Sequence, residues 1–375
     1  MTNAFPAILK ALNNAVDEGV FPGAVLLAAW RGEVRVHEAV GFAALKPRKI
    51  SMTRFTIFDL ASLTKPIATT TAVMRLVDRG ALDIDDPVRR WIPEFSGGEK
   101  DRIRVRDLLN HCSGLRAWEP LYKEVIKTAK RRNGYVGSPD AKQQVLNRIH
   151  HGRLVYPPGA MSLYSDLGFV LLGEIIERVS GLGLDRFCRD QVFRPLGLKR
   201  SFFIRTGKPH AGRFAATERS DWRRGIVVGQ VHDDNAYAMG GIAGHAGLFA
   251  TAADLNRFSQ TILDALRGRN PFVSQKIVES FVTRQTTPGS SWGLGWDTPS
   301  GSSGAPSSSG RLLSARSFGH LGFTGTSLWI DPEKDLTIIL LTNRVHPTSR
   351  NIKIRKFRPA LHDLVVQEFI PGIRS

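Results

Sequence analysis

The apolar positions of this chain follow a helical spacing in its middle and form strand-like runs near both ends. Residues 1–20 have the pattern of an amphipathic helix, and the spacing from Ile67 to Leu82 predicts a largely buried one. The stretches "IRVRDLLNHCSGL" and "SDLGFVLLGEIIERVSG" predict two more helices, and Gly181 would end the second. Helical patterns therefore dominate from about residue 66 to residue 200.

Strand patterns occupy the two ends of the chain. "PGAVLLAAWRGEVRVHEAVG" predicts two strands around a tight turn at Arg31-Gly32. "SFGHLGFTGTSLWIDPEKDLTIILLTN" predicts two or three strands with a hairpin turn near Asp331-Pro332-Glu333, and "RPALHDLVVQEF" predicts a final helix. We therefore predict an α/β (α+β) fold: an antiparallel β-sheet flanked by helices, built from both termini, with an inserted mostly helical domain.

These patterns set the predicted domain boundaries. Residues 1–65 and 205–375 would form the sheet domain, and residues 66–204 the helical domain, with the active site at their interface. The segment 287–316 is rich in Gly, Ser and Pro, which predicts a mobile loop with short strands.

Composition indicates a globular protein. Hydrophobic residues make up 42% of the 375 positions, and no segment approaches the length of a transmembrane helix. Charged residues such as Lys10 and Asp17 interrupt the first twenty positions, unlike a signal peptide. We therefore expect a cytoplasmic location, with a trimmed exported form as the alternative. Cys112 and Cys188 form neither a disulfide framework nor a metal-ligand spacing.

The formal charge of +18 favours anionic partners such as nucleic acid, anionic surfaces or acidic substrates. The basic residues are nevertheless spread along the chain, and the local clusters "KTAKRR" and "NIKIRKFR" are short. Because no basic motif with interleaved aromatic residues occurs, we expect a generally basic surface and no specific nucleic-acid binding. Nothing in the sequence fixes the oligomeric state.

The stretch "FDLASLTKPIATTT" places Ser62 three residues before Lys65, where an apolar helical run begins. Ser62 could cap that helix while Lys65 remains a solvated charge. Alternatively, Ser62 is a nucleophile and Lys65 its activating amine, because residues three apart share a helix face. The positive helix N-terminus would also stabilise an alkoxide.

Other stretches have two interpretations as well. In "LYSDLGF", Ser165 or Asp166 could cap a helix with Tyr164 in the core, or Tyr164 could be a general base whose pKa is lowered by Lys65. In "FGHLGFTGTS", the glycines indicate either close approach to a ligand or a bulge in an edge strand. "HDDNA" contains metal-ligand residue types, but nothing completes a ligand set, so we expect no metal site. His111 and His245 are expected to be structural.

Taken in order, three motifs resemble those of the penicillin-recognising serine hydrolases related to class C β-lactamases. That family includes D,D-peptidases, D-aminopeptidases and β-lactamase-like carboxylesterases. Its motifs are Ser-x-x-Lys, Tyr-x-Asn or similar, and Lys-Thr-Gly or His-x-Gly. Here they are Ser62-Leu63-Thr64-Lys65, Tyr164-Ser165-Asp166 and His320-Leu321-Gly322. Stretches such as "FPGAVLLAA", "VRDLLNHCSGL" and "GGIAGHAGLFATAADLNRF" extend the resemblance over about residues 10–345.

The resemblance implies a mechanism. Ser62 would attack an acyl carbon of a small-molecule or peptide substrate, anionic ones included, and form an acyl-enzyme that water hydrolyses. Lys65 and Tyr164 would carry the proton, and the backbone N–H groups of Ser62 and Phe323 would form the oxyanion hole. The resemblance implies no metal or organic cofactor. It also implies a substrate-binding edge made of Asp166, His320, Leu321 and Gly322.

Two departures from the family motifs bear on the substrate. Asp166 replaces an Asn and cannot donate a hydrogen bond when ionised, but it could pair with Lys65 and keep it protonated, which would leave Tyr164 as the better base. In the third motif, His320 is a weak, pH-dependent cation and Leu321 has no hydroxyl to hold a substrate carboxylate. Esterase-type activity is therefore favoured. The alternatives are a true β-lactamase, a D-amino-acid or cell-wall peptide hydrolase, and a non-catalytic binding protein that retains the fold.

Overall fold

The computed structural model describes residues 5–208, 210–287, 289–300 and 307–373. Its helices are α1 (Pro6–Asp17), α2 (Thr71–Asp78), α3 (Val105–Leu109), α4 (Tyr122–Ala129), α5 (Pro139–His150), α6 (Asp166–Ser180), α7 (Leu184–Cys188), α8 (Asp234–Ala238), α9 (Ala252–Leu266), α10 (Gln275–Val282) and α11 (Ile354–Phe369). Its strands are β1 (Gly23–Trp30), β2 (Glu33–Ala44), β3 (Ile50–Ser51), β4 (Phe58–Asp59), β5 (Phe202–Phe203), β6 (Arg219–Ser220), β7 (Gly225–Ile226), β8 (Leu248–Ala250), β9 (Phe318–Leu321), β10 (Ser327–Asp331) and β11 (Leu336–Thr342).

The largest sheet joins the two ends of the chain. Its six strands have the order β3-β2-β1-β11-β10-β9, and all neighbours are antiparallel. The turn between β1 and β2 lies at Arg31 and Gly32, whose φ angles of 52° and 80° suit the twist of a two-residue hairpin. Helices α1 and α11 cover one face of the sheet, and α9 covers the other. The predicted antiparallel sheet built from both termini is confirmed.

Helices α2 to α7 lie in the segment predicted to be helical. The longest, α6, begins where the Ser165 hydroxyl accepts the N–H of Gly168 and ends at Gly181, whose φ of 69° lies in the left-handed region. Ser165, rather than Asp166, is therefore the N-cap. A single hydrophobic cluster contains residues from this segment and from the sheet. The division into two domains at residues 65 and 205 stays a prediction.

Some predicted elements are shorter than expected. "IRVRDLLNHCSGL" contains only the five-residue α3, because His111 and Gly114 have positive φ angles of 62° and 81° that turn the chain. Residue 288 and residues 301–306 of the predicted loop 287–316 lie outside the described residues. The rest of that loop includes an antiparallel bridge between Trp292 and Asp297, which continues to Gly319 of β9. In the part of the chain that is described, no helix is both long and apolar enough to cross a bilayer.

Close backbone packing fixes the position of α6 against the loop before β8. A Cβ atom on Gly244 would overlap the carbonyl oxygen of Phe169 and lie 2.9 Å from the amide nitrogen of Gly173. The Gly244 carbonyl also accepts a 2.6 Å hydrogen bond from the Thr69 hydroxyl. This glycine therefore joins α6, the loop and the segment that follows Ser62.

We expect Gly244→Ala to lower the free energy of unfolding by about 1–3 kcal/mol, because the atoms on both sides are backbone and cannot rotate away. Urea denaturation would measure the change. Gly225→Ala is the matched control, since a Cβ on Gly225 would meet nothing within 4 Å. Equal stability of the two variants would contradict the packing argument.

Candidate active site

The candidate nucleophile lies in a single 3₁₀ turn, Ala61–Leu63, that follows β4. Ala61 has a φ of 46°, a region that L-residues other than Asn and Asp seldom adopt, and its N–H donates a 2.8 Å hydrogen bond to Asp59 Oδ1. The chain then continues through π-helical turns, Lys65–Thr70, into α2. The cap positions of these segments are Leu60, Thr64 and Thr70. The interpretation of Ser62 as a helix cap is therefore wrong.

Lys65 is fully buried, so the interpretation as a solvated charge is also wrong. Three oxygen atoms surround its Nζ atom: Ser62 Oγ at 3.0 Å, the His245 carbonyl at 3.2 Å and Asp166 Oδ1 at 2.6 Å. Burial alone would lower the pKa of Lys65, but the Asp166 carboxylate and Tyr164 outweigh it, and the pKa is raised. The ammonium is therefore the resting form, as the sequence predicted for an Asp166 pair.

Tyr164 lies on the other side of the same ammonium, with Lys65 Nζ 4.9 Å from the centre of its ring. Burial raises the pKa of Tyr164; Lys65 opposes this shift, while the negative Asp166 carboxylate adds to it. The net pKa is raised. Lys65 does lower the pKa of Tyr164 as predicted, but the net direction is upward because burial is the larger effect and Asp166 adds to it. Tyr164 is a neutral phenol at rest.

The third motif lies on the edge strand β9 and in the loop that follows it. Two hydroxyl groups of this loop bind the segment just before Ser62: Thr324 Oγ1 donates to the Asp59 carbonyl at 2.8 Å, and Thr326 Oγ1 donates to the Leu60 carbonyl at 3.0 Å. The Gly322 N–H donates to the Thr326 carbonyl at 2.8 Å. The loop that contains Phe323 and the turn that contains Ser62 therefore form one hydrogen-bonded unit.

The two glycines of this loop approach protein atoms. A Cβ on Gly322 would overlap Thr326 Oγ1 and the Leu60 carbonyl, and a Cβ on Gly325, where φ is 108°, would overlap Thr342 Oγ1. Their role is close packing of the loop against its neighbours. Contacts with protein atoms are enough to explain both Gly322 and Gly325, without a ligand close to the backbone.

His320 is buried and neutral. Burial and the nearby Lys65 ammonium lower its pKa to about 3, so it is an even weaker cation than the sequence predicted. Its Nδ1 atom lies 2.7 Å from the Leu321 carbonyl, which requires the proton on Nδ1 and leaves a lone pair on Nε2. The third motif therefore presents a hydrogen-bond acceptor, His320 Nε2, and the apolar side chain of Leu321.

Ser62, Tyr164, Asp166 and the third motif line one cleft of about 1150 Å³. Aromatic side chains form part of its wall: Trp118, Tyr122, Trp222, Trp292 and Phe323. Trp292 packs near both Tyr164 and His320, with ring centres 5.4 Å apart in each case. Arginine side chains line the part of the cleft beside α11. The structure thus brings every predicted site residue except Lys65 to the wall of one cavity, and Lys65 contacts Ser62 from behind that wall.

Two sites considered in the sequence have different roles in the structure. His245, expected to be structural, provides the carbonyl that binds Lys65, and its Nε2 atom lies 3.0 Å from Asp233 Oδ1. The residues of "HDDNA" have protein partners: His232 pairs with Glu218, and Asp233 caps α8. Among the described residues, no group of three or more His, Cys, Asp or Glu side chains is placed to hold a metal ion.

Comparison with known proteins agrees with this geometry. The sequence profile of the Beta-lactamase family matches residues 8–360. The chain belongs to the β-lactamase family. A relative from Salmonella agona (strain SL483), named "Putative D-alanyl-D-alanine carboxypeptidase", is 34% identical over 369 residues, which cover 92% of this chain and 83% of the relative. A protein of the same name from Escherichia coli (strain K12) is 34% identical over 363 residues, 89% of this chain and 81% of that protein.

Solved structures share the family fold at lower identity. "EstCE1, a hydrolase with promiscuous acyltransferase activity" superposes with a TM-score of 0.72 at 23% identity, covering 95% of this chain and 98% of that one. The octameric penicillin-binding protein homologue from Pyrococcus abyssi superposes with a TM-score of 0.75 at 22% identity, covering 96% and 77% of the two chains. The family and its relatives indicate that this protein is a serine hydrolase.

The low pKa of His320 predicts how stability depends on pH. The unfolded chain binds a proton at His320 below about pH 6.5, whereas the folded protein does so only near pH 3, so acid favours unfolding between these values. We expect His320→Gln to flatten the fall of stability between pH 6 and pH 4 by up to about 1.4 kcal/mol per pH unit. Urea denaturation at several pH values tests this. His151→Gln, at an exposed histidine, should leave the slope unchanged, and an unchanged slope in His320→Gln would contradict the assignment.

Proposed function

We propose that this protein is an acyl hydrolase in which Ser62 is the nucleophile and Lys65 and Tyr164 carry its proton. The observation that carries this proposal is the buried cluster in which Lys65 Nζ contacts both Ser62 Oγ and the Asp166 carboxylate. Nucleophilic serines need an adjacent group that accepts their proton, and this cluster is adjacent to Ser62 and opens into the cleft.

The resting charges limit how the proton moves. Lys65 is an ammonium and Tyr164 a neutral phenol, so neither is ready to accept a proton from Ser62. Lys65 must first lose a proton to solvent, a step that the Asp166 carboxylate, 2.6 Å from its Nζ atom, opposes. The free amine then takes the Ser62 proton as Oγ attacks the acyl carbon. Tyr164 would pass its phenol proton to the leaving group and take back the proton that Lys65 received from Ser62.

The oxyanion would be bound between the Ser62 turn and the Phe323 loop. The backbone N–H groups of Ser62 and Phe323 are its proposed donors, as the family motifs imply. Support comes from the Thr324 and Thr326 hydrogen bonds, which hold the loop against the turn and leave little freedom between the two peptides. Donors fixed before the reaction stabilise developing charge without reorganising.

Neutral esters are the favoured substrates in this proposal. A β-lactamase third motif holds a substrate carboxylate with a cation and a hydroxyl, whereas His320 is neutral and Leu321 is apolar. The large aromatic cleft suits an apolar acyl or leaving group.

A specific observation supports a second candidate, a peptide with a terminal carboxylate. Arg355 and Arg358 belong to α11 and line the cleft. Arg358 is buried and has no ion-pair partner among the described residues. The relatives that share 34% identity are named for cleavage of D-alanyl-D-alanine. An arginine pair could bind the carboxylate that the third motif does not.

The first test compares substrates and a nucleophile variant. We expect wild-type protein to hydrolyse p-nitrophenyl butyrate faster than a chromogenic cephalosporin or a peptide ending in D-alanyl-D-alanine.

Ser62→Ala should remove essentially all turnover, because no other group in the cluster can form the acyl-enzyme. Ser220→Ala, at another serine of the same cleft, is the control. Intact-protein mass spectrometry with a penicillin would show whether Ser62 acylates. More than a few per cent residual activity in Ser62→Ala would show that Ser62 is not the nucleophile.

The second test addresses Asp166, whose carboxylate helps to raise the pKa of Lys65. In Asp166→Asn that contribution is lost, the pKa of Lys65 falls, and the free amine forms at lower pH. The rising limb of kcat/KM against pH should therefore move to lower pH, as measured on p-nitrophenyl butyrate from pH 5 to pH 10. Asp221→Asn, at an exposed carboxylate on the cleft rim, should not move it. If the rising limb of kcat/KM in Asp166→Asn lies at the same pH as in wild type, deprotonation of Lys65 does not control the rate.

A further inference from the structure

Arg344 follows β11 and is more than nine-tenths buried, at 9% exposure. Its guanidinium makes four hydrogen bonds, and their three acceptors are all backbone carbonyls. Nε and Nη2 donate to the Phe323 carbonyl at 2.9 and 2.6 Å, and Nη1 donates to the carbonyls of Ser349 and Asn351 at 2.8 and 2.9 Å. Within the described residues, Arg344 forms no ion pair. The buried guanidinium of Arg344 thus binds the backbone of two loops, one at Phe323 and one at Ser349 and Asn351.

The fork on the Phe323 carbonyl restricts the orientation of the Phe323–Thr324 peptide group, which adjoins the Gly322–Phe323 peptide that carries the Phe323 N–H. Two N–H groups of one rigid plane converge on a single oxygen, so both its position and its direction are fixed. The guanidinium also stacks on the Phe323 ring, 4.6 Å from its centre. Phe323 is 54% exposed, and the other face of its environment is His232, whose ring centre lies 5.6 Å from that of Phe323. Arg344 is therefore the direct restraint on the carbonyl of a residue that the hydrophobic core does not hold.

The same network reaches the peptide before Ser62. Ser349, whose carbonyl binds Arg344, donates its N–H and hydroxyl to Glu218 Oε1 at 2.8 and 2.7 Å. Glu218 Oε2 lies 3.2 Å from His232 Nε2. The His232 N–H donates to Asp59 Oδ2, and Asp59 Oδ1 accepts the Ala61 N–H. One set of hydrogen bonds thus connects Arg344 to the Phe323 carbonyl and to Ala61, the residue before Ser62, so it reaches the neighbourhood of both proposed oxyanion donors.

We propose that Arg344 is a positioning residue for catalysis: by fixing the Phe323 carbonyl, it restrains the backbone of the residue whose N–H is one proposed oxyanion donor, and so sets the place of that donor relative to Ser62. This inference rests on the proposed function, because it assigns Phe323 to the oxyanion hole. Arg344 does not touch the substrate in this role. A misplacement of about 1 Å in such a group lowers rates by about a hundredfold, so the restraint matters for turnover more than for binding.

The experiment measures kcat and KM on p-nitrophenyl butyrate for Arg344→Gln and Arg344→Lys. We expect kcat to fall about 10- to 100-fold in Arg344→Gln, with KM within about twofold of wild type. Arg344→Lys should be intermediate, because an ammonium keeps the charge but not the fork. Arg350→Gln is the control: it removes the same charge from the same loop, at an exposed side chain. It should stay within about twofold of wild type.

A transition-state analogue separates positioning from a general loss of structure. Phenylboronic acid binds when the serine oxygen adds to boron and leaves a tetrahedral anion in the oxyanion hole. Its affinity should fall in proportion to kcat across the Arg344 variants, while thermal unfolding shows that Arg344→Lys is folded. Boronate affinity that stays at the wild-type value while kcat falls would overturn the proposal, as would an Arg344→Lys protein that has lost its fold.

Ser62→Ala, run beside these variants, distinguishes the two levels of inference. If wild type and Ser62→Ala hydrolyse the ester equally, the proposed function fails. If Ser62→Ala is inactive and both Arg344 variants match wild type, only the positioning role of Arg344 fails.

Discussion

The burial of one ammonium group determines how this site is built. An isolated charge inside a protein costs several kcal/mol, and the cost is offset only where oppositely charged and polar groups surround it. Around Lys65 these groups come from three separate parts of the chain: Ser62 in its own turn, Asp166 at the start of α6, and the His245 carbonyl. The nucleophile, the helical segment and the loop before β8 therefore have to meet at one point.

The sequence predicted most of the elements that meet there. The three motifs identified Ser62, Lys65 and Tyr164, and the strand patterns at the two ends predicted the antiparallel sheet. What it could not predict is the balance of charges. The direction of the Tyr164 pKa depends on burial, on Lys65 and on Asp166 together, and only their positions show that the sum raises it.

The supporting residues were also invisible in the sequence, for a different physical reason. Arg344, Glu218 and His232 act through hydrogen bonds to backbone atoms or to each other, and no fixed spacing links them. Any polar residue in a loop has the same local pattern. By contrast, the Ser62–Lys65 pair is local, because the helix geometry alone brings residues three apart together.

The antiparallel pairing of β1 with β11 has a consequence for synthesis on the ribosome. Gly23 and Asn343, which are 320 positions apart, are hydrogen-bonded neighbours. At about 5–20 residues per second, β1 waits tens of seconds for its partner strand to be made. Throughout that interval the apolar strand "GAVLLAAW" has one unpaired edge on the side that β11 will occupy. The nascent chain therefore carries an apolar strand edge that is open to aggregation until β11 has been made.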